Sequence, residues 1–410
     1  MLFLFSKKRY NRYMNTEELL KLEMKKCWLY FYENTNLDKN SKFFGLTRDK
    51  YPLFPEVASI SSTGYSLASL IIGVENSWLD YEEGYDIALN TIKTFLYKIK
   101  SKNGFFHRYI NIETGKKEWN SEISIIDTAL LLCGVLAVGE YFEDEVKDLG
   151  LILFENVEWN WFIDKEKKQY RLGYKRGFYG YWDNYAEQLI IYILGAGSLT
   201  NQIDKDIYYS FERRKKDYEE QKGIIYSWFG SLFTYQYSHA WIDFKKLYDE
   251  KKVNWFDNSK KAILANKMYC YTNREKIKTF KEGYWGISAT ITKKRYSQRH
   301  GAEPCVDKIK LDGTISISAL ISSIVFYSEE VIEKVNRLYK DYPSSFGKYG
   351  FMTSMNLNYR DNWFSSEYLS IDKGNSMIMI ANYLDDKIWK LMMSSEIIQR
   401  GLDHLNIKDI

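Results

Sequence analysis

Eight carboxylates stand in polar or aromatic clusters along this chain: Glu118, Glu122, Asp127, Asp183, Glu187, Asp243, Glu367 and Asp372. Trp119, Trp182, Trp241 and Trp363 lie close to them in sequence, as in EWNSE (118–122), WDNYAE (182–187) and WID (241–243). Two carboxyl groups can share acid–base work: a protonated one gives its proton to a leaving oxygen, while an ionised one activates water or attacks carbon. Flat aromatic faces beside hydrogen-bonding carboxylates suit sugar rings, which stack through axial C–H faces and bond through hydroxyls. Cleavage of a glycosidic bond is the chemistry this combination would serve. The chain has 35 Tyr, 23 Phe and 12 Trp, 17% aromatic in all. An AT-rich coding sequence inflates Tyr and Phe, so the tryptophans carry more of this lead.

Other chemistries lack their residues. Gly195-Ala196-Gly197 follows a helical pattern without the rest of a nucleotide-binding signature, and neither GxSxG nor HExxH occurs. His107, His239, His300 and His404 share no ligand spacing, and Cys27, Cys133, Cys270 and Cys305 form no CxxC pair. No metal and no cofactor are expected. The balance of 58 basic against 54 acidic residues, net +4, gives no basic half, so no nucleic-acid partner is expected. The opening MLFLFSKKRYNRY puts apolar residues before its positive charges, the reverse of a secretory leader, and no 18-residue apolar run is evident. The expectation is no membrane partner and a cytoplasmic location, or a periplasmic or secreted one if a leader has been removed. Nothing in the sequence indicates the oligomeric state.

The elements that must position these carboxylates are helical. Only four prolines occur, and apolar residues recur at i, i+3 and i+4 over 16–33, 63–78, 83–100, 124–142, 144–155, 183–196, 204–218, 237–248, 256–272, 314–325, 328–341, 374–384 and 386–394. That predicts about a dozen helices and a short terminal one, with small β-hairpins near 104–119 and 170–180. Wholly apolar helices alternate with amphipathic ones, as inner and outer members of helical hairpins would. Six polar or aromatic clusters open the apolar helices. Their representatives Thr63, Asp127, Glu187, His239, Thr314 and Asp372 are 64, 60, 52, 75 and 58 residues apart. Six hairpins at that spacing close an all-α (α/α)6 barrel whose inner-helix N-termini share one mouth. Ser, Thr and Asp at such positions also serve simply as caps. Residues 1–15 are expected to form an N-terminal tail and 16–410 a single (α/α)6 catalytic domain.

The strings WNSEISIIDTALLLCGVL, WDNYAEQLIIYILGAGS, YQYSHAWIDF, WGISA, DGTISISA, KYGFMTSMN and YLSIDKGNSMIMIANYLDDKIWKLMM resemble the bacterial glucoamylase-like family. That family includes endo-β-1,2-glucanases and related domains of cyclic β-1,2-glucan synthases. The resemblance spans about residues 55–402. It implies an (α/α)6 barrel that acts on an oligo- or polysaccharide glucan, with catalytic carboxylates at the starts of inner helices. It makes Glu187 the general acid, Asp372 the base or nucleophile, and Asp127, with Glu122, a sugar ligand at the cleavage point or a substitute in one of those roles. Trp119, Trp182, Tyr185, His239, Trp241, Trp285 and Tyr368 are expected to bind substrate. The sequence departs from the family pattern at Ala186, where Asn is usual, at Ser370 before Ile371-Asp372, and at Glu303 in GAEPC. The resemblance favours internal hydrolysis of β-1,2-glucan with inversion. Competing readings are a transglycosylase on the same site, a sugar isomerase or epimerase, which would want catalytic histidines, and a non-catalytic carbohydrate-binding toroid.

Overall fold

The computed structural model describes residues 15–409. Of the expected N-terminal tail only Asn15 lies within them, and it caps the first helix: its Oδ1 accepts from Glu18 N while its own N–H donates to Glu18 Oε2. The helices are α1 (Thr16–Asn34), α2 (Ile60–Glu75), α3 (Tyr81–Tyr97), α4 (Ile125–Phe142), α5 (Asp144–Glu155), α6 (Leu189–Gly197), α7 (Lys205–Tyr209), α8 (Tyr237–Trp241), α9 (Trp255–Thr272), α10 (Lys278–Lys281), α11 (Ile317–Ile321), α12 (Ser328–Asp341), α13 (Ser370–Asp385), α14 (Lys387–Ser394) and α15 (Glu396–His404). Short strands pair in sheets of two or three in the connections.

Composition decides which helices are inside. Nearly every residue of α2 and α4 is buried, whereas amphipathic α12 buries only Val331, Val335 and Leu338, one stripe of its surface. The buried helices touch in succession. α2 packs on α4, α4 on α6, α11 on α13, and α13 back on α2. Ser238 of α8 donates to Glu187 O just before α6, and Gln236 at the start of α8 donates to Ala319 O of α11. α2 and α4 approach so closely that a Cβ on Gly134 would stand 2.1 Å from Gly64 O, which only glycine permits. Around them α1 leans on α2 and α13, α3 on α5, α12 on α11, and α15 on α6. Gly197 and Gly401 allow the last approach, since a Cβ on either would meet the backbone of Ile397 or Ile193. The Gly-Ala-Gly run is thus a packing feature. α4 is long and apolar enough to cross a membrane by length and composition, and 83% of it is buried inside the protein.

A repeated local device aims the N-termini. At Val57–Ser59, Ile123–Ser124 and Ile315–Ser316 a short strand runs directly into a helix, with Ser59, Ser124 or Ser316 as N-cap accepting the N–H three residues on. Tyr368–Leu369 leads into α13 in the same way, without the serine cap. Each strand is clamped to another segment: Ser124 pairs with Gly173, Ser316 with Ser354, and Leu369 with Lys50. The third residue of α4 is Asp127 and that of α13 is Asp372, so neither is the capping residue.

Several expected helices are shorter. The stretch 183–188 is not helical because Gln188 folds back, its Oε1 accepting from Ala186 N and its amide donating to Asn184 O, which replaces a first helical turn. Glu187 therefore lies in the turn before α6, not one turn inside a helix. The predicted 204–218 helix stops at Tyr209. Arg213 turns inward to the buried Asp249, and Lys215–Tyr218 pairs with Gln221–Ile225 as a hairpin. α8 and α11 are single short segments in place of 237–248 and 314–325. α13 begins at Ser370, earlier than expected, and carries Asp372 in its first turn.

Candidate active site

A cavity of about 300 Å³ opens where the N-termini of α4, α8 and α13 and the turn before α6 converge. Asp127 and Leu130 of α4, Glu187, Tyr237 of α8 and Ile371 of α13 line it, with Arg108, Trp182, Trp228, Phe233, Tyr296 and Gln298 from the connections. A larger groove of about 730 Å³ lies on the outer side of α3 among mixed lysines and acids, away from these carboxylates.

Two carboxyls, Asp127 and Glu187, line this space, and a third, Asp372, follows the lining residue Ile371. Asp127 is nearly fully buried and accepts from Ser124 Oγ at 2.6 Å, while its Oδ2 stands 3.7 Å from Arg108 Nε. Arg108 also faces Glu122 at 3.8 Å and lies over the Tyr109 ring, so one guanidinium is shared by two carboxylates. Glu187 takes no side-chain hydrogen bond. Burial pushes its carboxyl up to about 7; a hydrogen bond from its own backbone N–H and the charge of Arg108 oppose this, and the charge of Asp127 adds to it. Asp372, immediately after the cavity-lining Ile371, has a buried Oδ2 without a hydrogen-bond partner, and burial raises it to about 7 against the pull of Lys373. Asp372 is not itself a lining residue, and its charge adds to burial in raising the hydroxyls of Tyr237 and Tyr296, which are. Two carboxyls poised near neutrality beside a third held by arginine can divide the roles of acid, base and ligand.

The expected substrate contacts divide. Trp182 lines the cavity, and Glu122 reaches it through Arg108. Trp119 is 44% exposed and packs edge-on against Phe54 and Tyr109, the residue next to Arg108. Both Trp119 and Asn120 have positive φ, an uncommon backbone that presents the indole to solvent. The others are core residues. Tyr185 is stacked on Trp255 at 4.7 Å, Trp241 is fully buried against Tyr65, and Trp285 donates to Glu330 Oε1 beneath α12. Tyr368 packs edge-on against Tyr349, away from the cavity lining. His239 is corrected most clearly: it is buried among Phe244, Phe256 and Phe326, bonds Ser259 Oγ at 2.8 Å, and burial lowers its pKa to about 3. Tyr185, His239, Trp241 and Tyr368 fell into the clusters because inner-helix starts bear both cavity-facing and core-facing side chains close together in sequence.

Sequence reasoning missed Arg108, Trp228, Phe233, Tyr237, Tyr296 and Gln298. Phe233 and Tyr237 were inside a recognised cluster and were passed over among many aromatics. Arg108 and Tyr296 come from hairpins with no periodicity, and only tertiary closure brings them to the carboxylates. Asp49 was missed too: burial raises its carboxyl, while Arg108 lowers it and Asp127 adds charge. Among the described residues no three His, Cys, Asp or Glu side chains gather as metal ligands would.

A helix-rich fold with carboxylates gathered at the helix starts is glucoamylase-like, and the comparisons agree. Residues 180–396, more than half the chain, match the family described as "Putative glucoamylase", and the chain belongs to this family. The crystal structure of a "putative glucoamylase" from Bacteroides uniformis superposes with a TM-score of 0.87 at 27% identity, covering 97% of this chain and 99% of that one. An endo-β-1,2-glucanase from Chitinophaga pinensis, solved with sophorotriose and glucose, gives a TM-score of 0.84 at 24% identity over 96% of this chain and 99% of its own, a likeness of fold. An exo β-1,2-glucooligosaccharide sophorohydrolase of Parabacteroides distasonis is 24% identical over 96% of this chain. The chain spans 58% of that relative's length.

Proposed function

We propose that the protein is a glycoside hydrolase that cleaves β-1,2-linked glucans at the cavity bounded by Glu187, Asp127 and Asp372. The observation that carries this is the pairing of two carboxyls each raised to about 7, Glu187 in the lining of one aromatic-rich cavity and Asp372 next to its lining residue Ile371. Membership of the glucoamylase family supports a glycan substrate, and the named activities of the relatives support the β-1,2 linkage. The closed succession of buried helices is read as an (α/α)6 barrel with the cavity at its mouth.

In this mechanism Glu187 is protonated in the resting enzyme and gives its proton to the glycosidic oxygen as the C1–O bond breaks. Asp372 takes a proton from a water molecule whose oxygen attacks C1 from the opposite face, inverting the anomeric centre. Glu187 is left ionised and Asp372 protonated, and solvent restores both. Asp127, fixed by Ser124 and Arg108, accepts hydroxyls of the sugar at the cleavage point. Trp182 and Trp228, 5.9 Å apart between ring centroids, offer flat faces to neighbouring sugars, and Trp119 offers another outside the cavity. Tyr185, His239, Trp241, Trp285 and Tyr368 have no contact role here. The isomerase reading loses its histidine, because His239 is a core residue.

Incubation with linear β-1,2-, β-1,3-, β-1,4- and α-1,4-glucans, followed by product chromatography, tests the proposal. Release of oligosaccharides from the β-1,2-glucan alone is the expected outcome. The Glu187→Gln variant should turn over at least about 100-fold more slowly with an unchanged or higher melting temperature at pH 8. A variant that keeps its specific activity would remove Glu187 from the mechanism.

A further inference from the structure

A second groove of about 420 Å³, lined by Tyr359, Asn362, Trp363, Phe364 and Lys293 among others, has no part in the chemistry above. Its lining combines half-buried aromatic rings with amide, hydroxyl and ammonium groups, the mixture that receives a sugar ring by stacking and hydrogen bonding. Trp363 is held by strand pairing with Asn356 and by edge-on contact with Tyr359 at 6.4 Å, while no protein group in the described residues accepts its indole N–H. Lys293 lies 4.2 Å from the centre of the Tyr359 ring.

The groove is joined to the cavity by one hairpin. Thr290–Ile291 pairs with Tyr296–Ser297; Ala289 and Tyr296 line the cavity, and Lys293 at the tip lines the groove. Two residues lie between Lys293 and Tyr296, so the three steps of chain joining them span at most about 11 Å. Ser354 Oγ donates to Ile291 O at 2.5 Å and ties the hairpin to Ser354–Asn356, the strand that pairs with Trp363–Phe364. Groove and cavity are therefore parts of one braced surface, at a spacing a glucan chain can bridge.

We propose that this groove is a remote subsite for the same glucan chain, with Trp363 as its stacking platform, so that the enzyme favours substrates long enough to occupy both places. The inference rests on the glucanase reading and adds a chain-length preference to it. A sugar held there contributes binding before and during bond cleavage alike, so its loss raises KM and leaves kcat.

Trp363→Ala and Trp363→Phe are assayed on a long linear β-1,2-glucan and on its tri- and tetrasaccharides. Trp363→Ala should lose about 5- to 10-fold in kcat/KM on the long glucan through KM, with kcat and the short-substrate rates unchanged. Trp363→Phe should recover most of that loss. Equal losses on long and short substrates, or no loss on either, would overturn the subsite. If the wild type cleaves no β-1,2-glucan, the glucanase reading fails separately. Affinity electrophoresis of wild type and Trp363→Ala in gels containing each glucan then decides the groove: retardation abolished by the substitution upholds it, and equal or absent retardation overturns it.

Discussion

Glu187 and Asp372 both hold their protons up to about 7 because burial disfavours the charged carboxylate. The proposed division of labour needs Glu187 protonated and Asp372 ionised. Below neutrality Asp372 gains its proton and the base is lost, whereas above it Glu187 loses its proton and the acid is lost. We expect kcat/KM to trace a narrow bell centred near pH 7, each limb falling about tenfold per pH unit. A rate flat across about two units on either side of neutrality would contradict these assignments. Stability carries the same sign information. Below the ordinary carboxylate range both groups are protonated in folded and unfolded chains, and no penalty arises. As pH rises to about 7 the unfolded chain releases protons that the folded one retains, so these two residues lower stability across that window. The three carboxylates were legible because each sits in a polar cluster at a helix start. Arg108, the ion-pair partner of Asp127, was not, because a hairpin arginine has no sequence signal until the fold sets it 3.7 Å from that carboxylate.

At the scale of elements, short strands and capping serines aim α4 and α11, and a buried ion pair anchors α13. Lys373, next to Asp372, reaches Glu23 of α1 at 2.9 Å, and both side chains are almost wholly inaccessible. Glu23 also accepts from Phe351 N and from Cys27 Sγ, so both of its oxygens are engaged. Replacing Glu23 by Ala strands the lysine charge in the core and should cost about 3–5 kcal/mol in denaturant unfolding. A loss below about 1 kcal/mol would show that α13 does not depend on this tie. Long helices such as α5, α9 and α12 were readable within a residue or so, because their apolar periodicity runs over several turns. The start of α6 and the 204–218 segment were not. There, side-chain bonds from Gln188 and Arg213 override a helical pattern only a few residues long.

Across the whole molecule one hydrophobic core runs from Leu19 to Ile407, and buried helices separated by about sixty residues in sequence bring their N-termini to one cavity. Of the six clusters visible in the sequence, those of Asp127, Glu187, His239 and Asp372 supply lining residues, and those of Thr63 and Thr314 supply none. Which side chain of each cluster faces the cavity was not visible, since a rotation of one residue turns His239 or Trp241 into the core. The account stands on Glu187, from the turn before α6, and Asp372, from α13, acting on opposite faces of one sugar, with water between Asp372 and the anomeric carbon. Proton NMR of the first product formed from linear β-1,2-glucan tests this most directly. The account predicts that the new reducing end appears first as the α anomer and then mutarotates. A β-configured reducing end at early times would contradict the inverting mechanism, and the absence of any product would contradict the assignment of a β-1,2-glucanase.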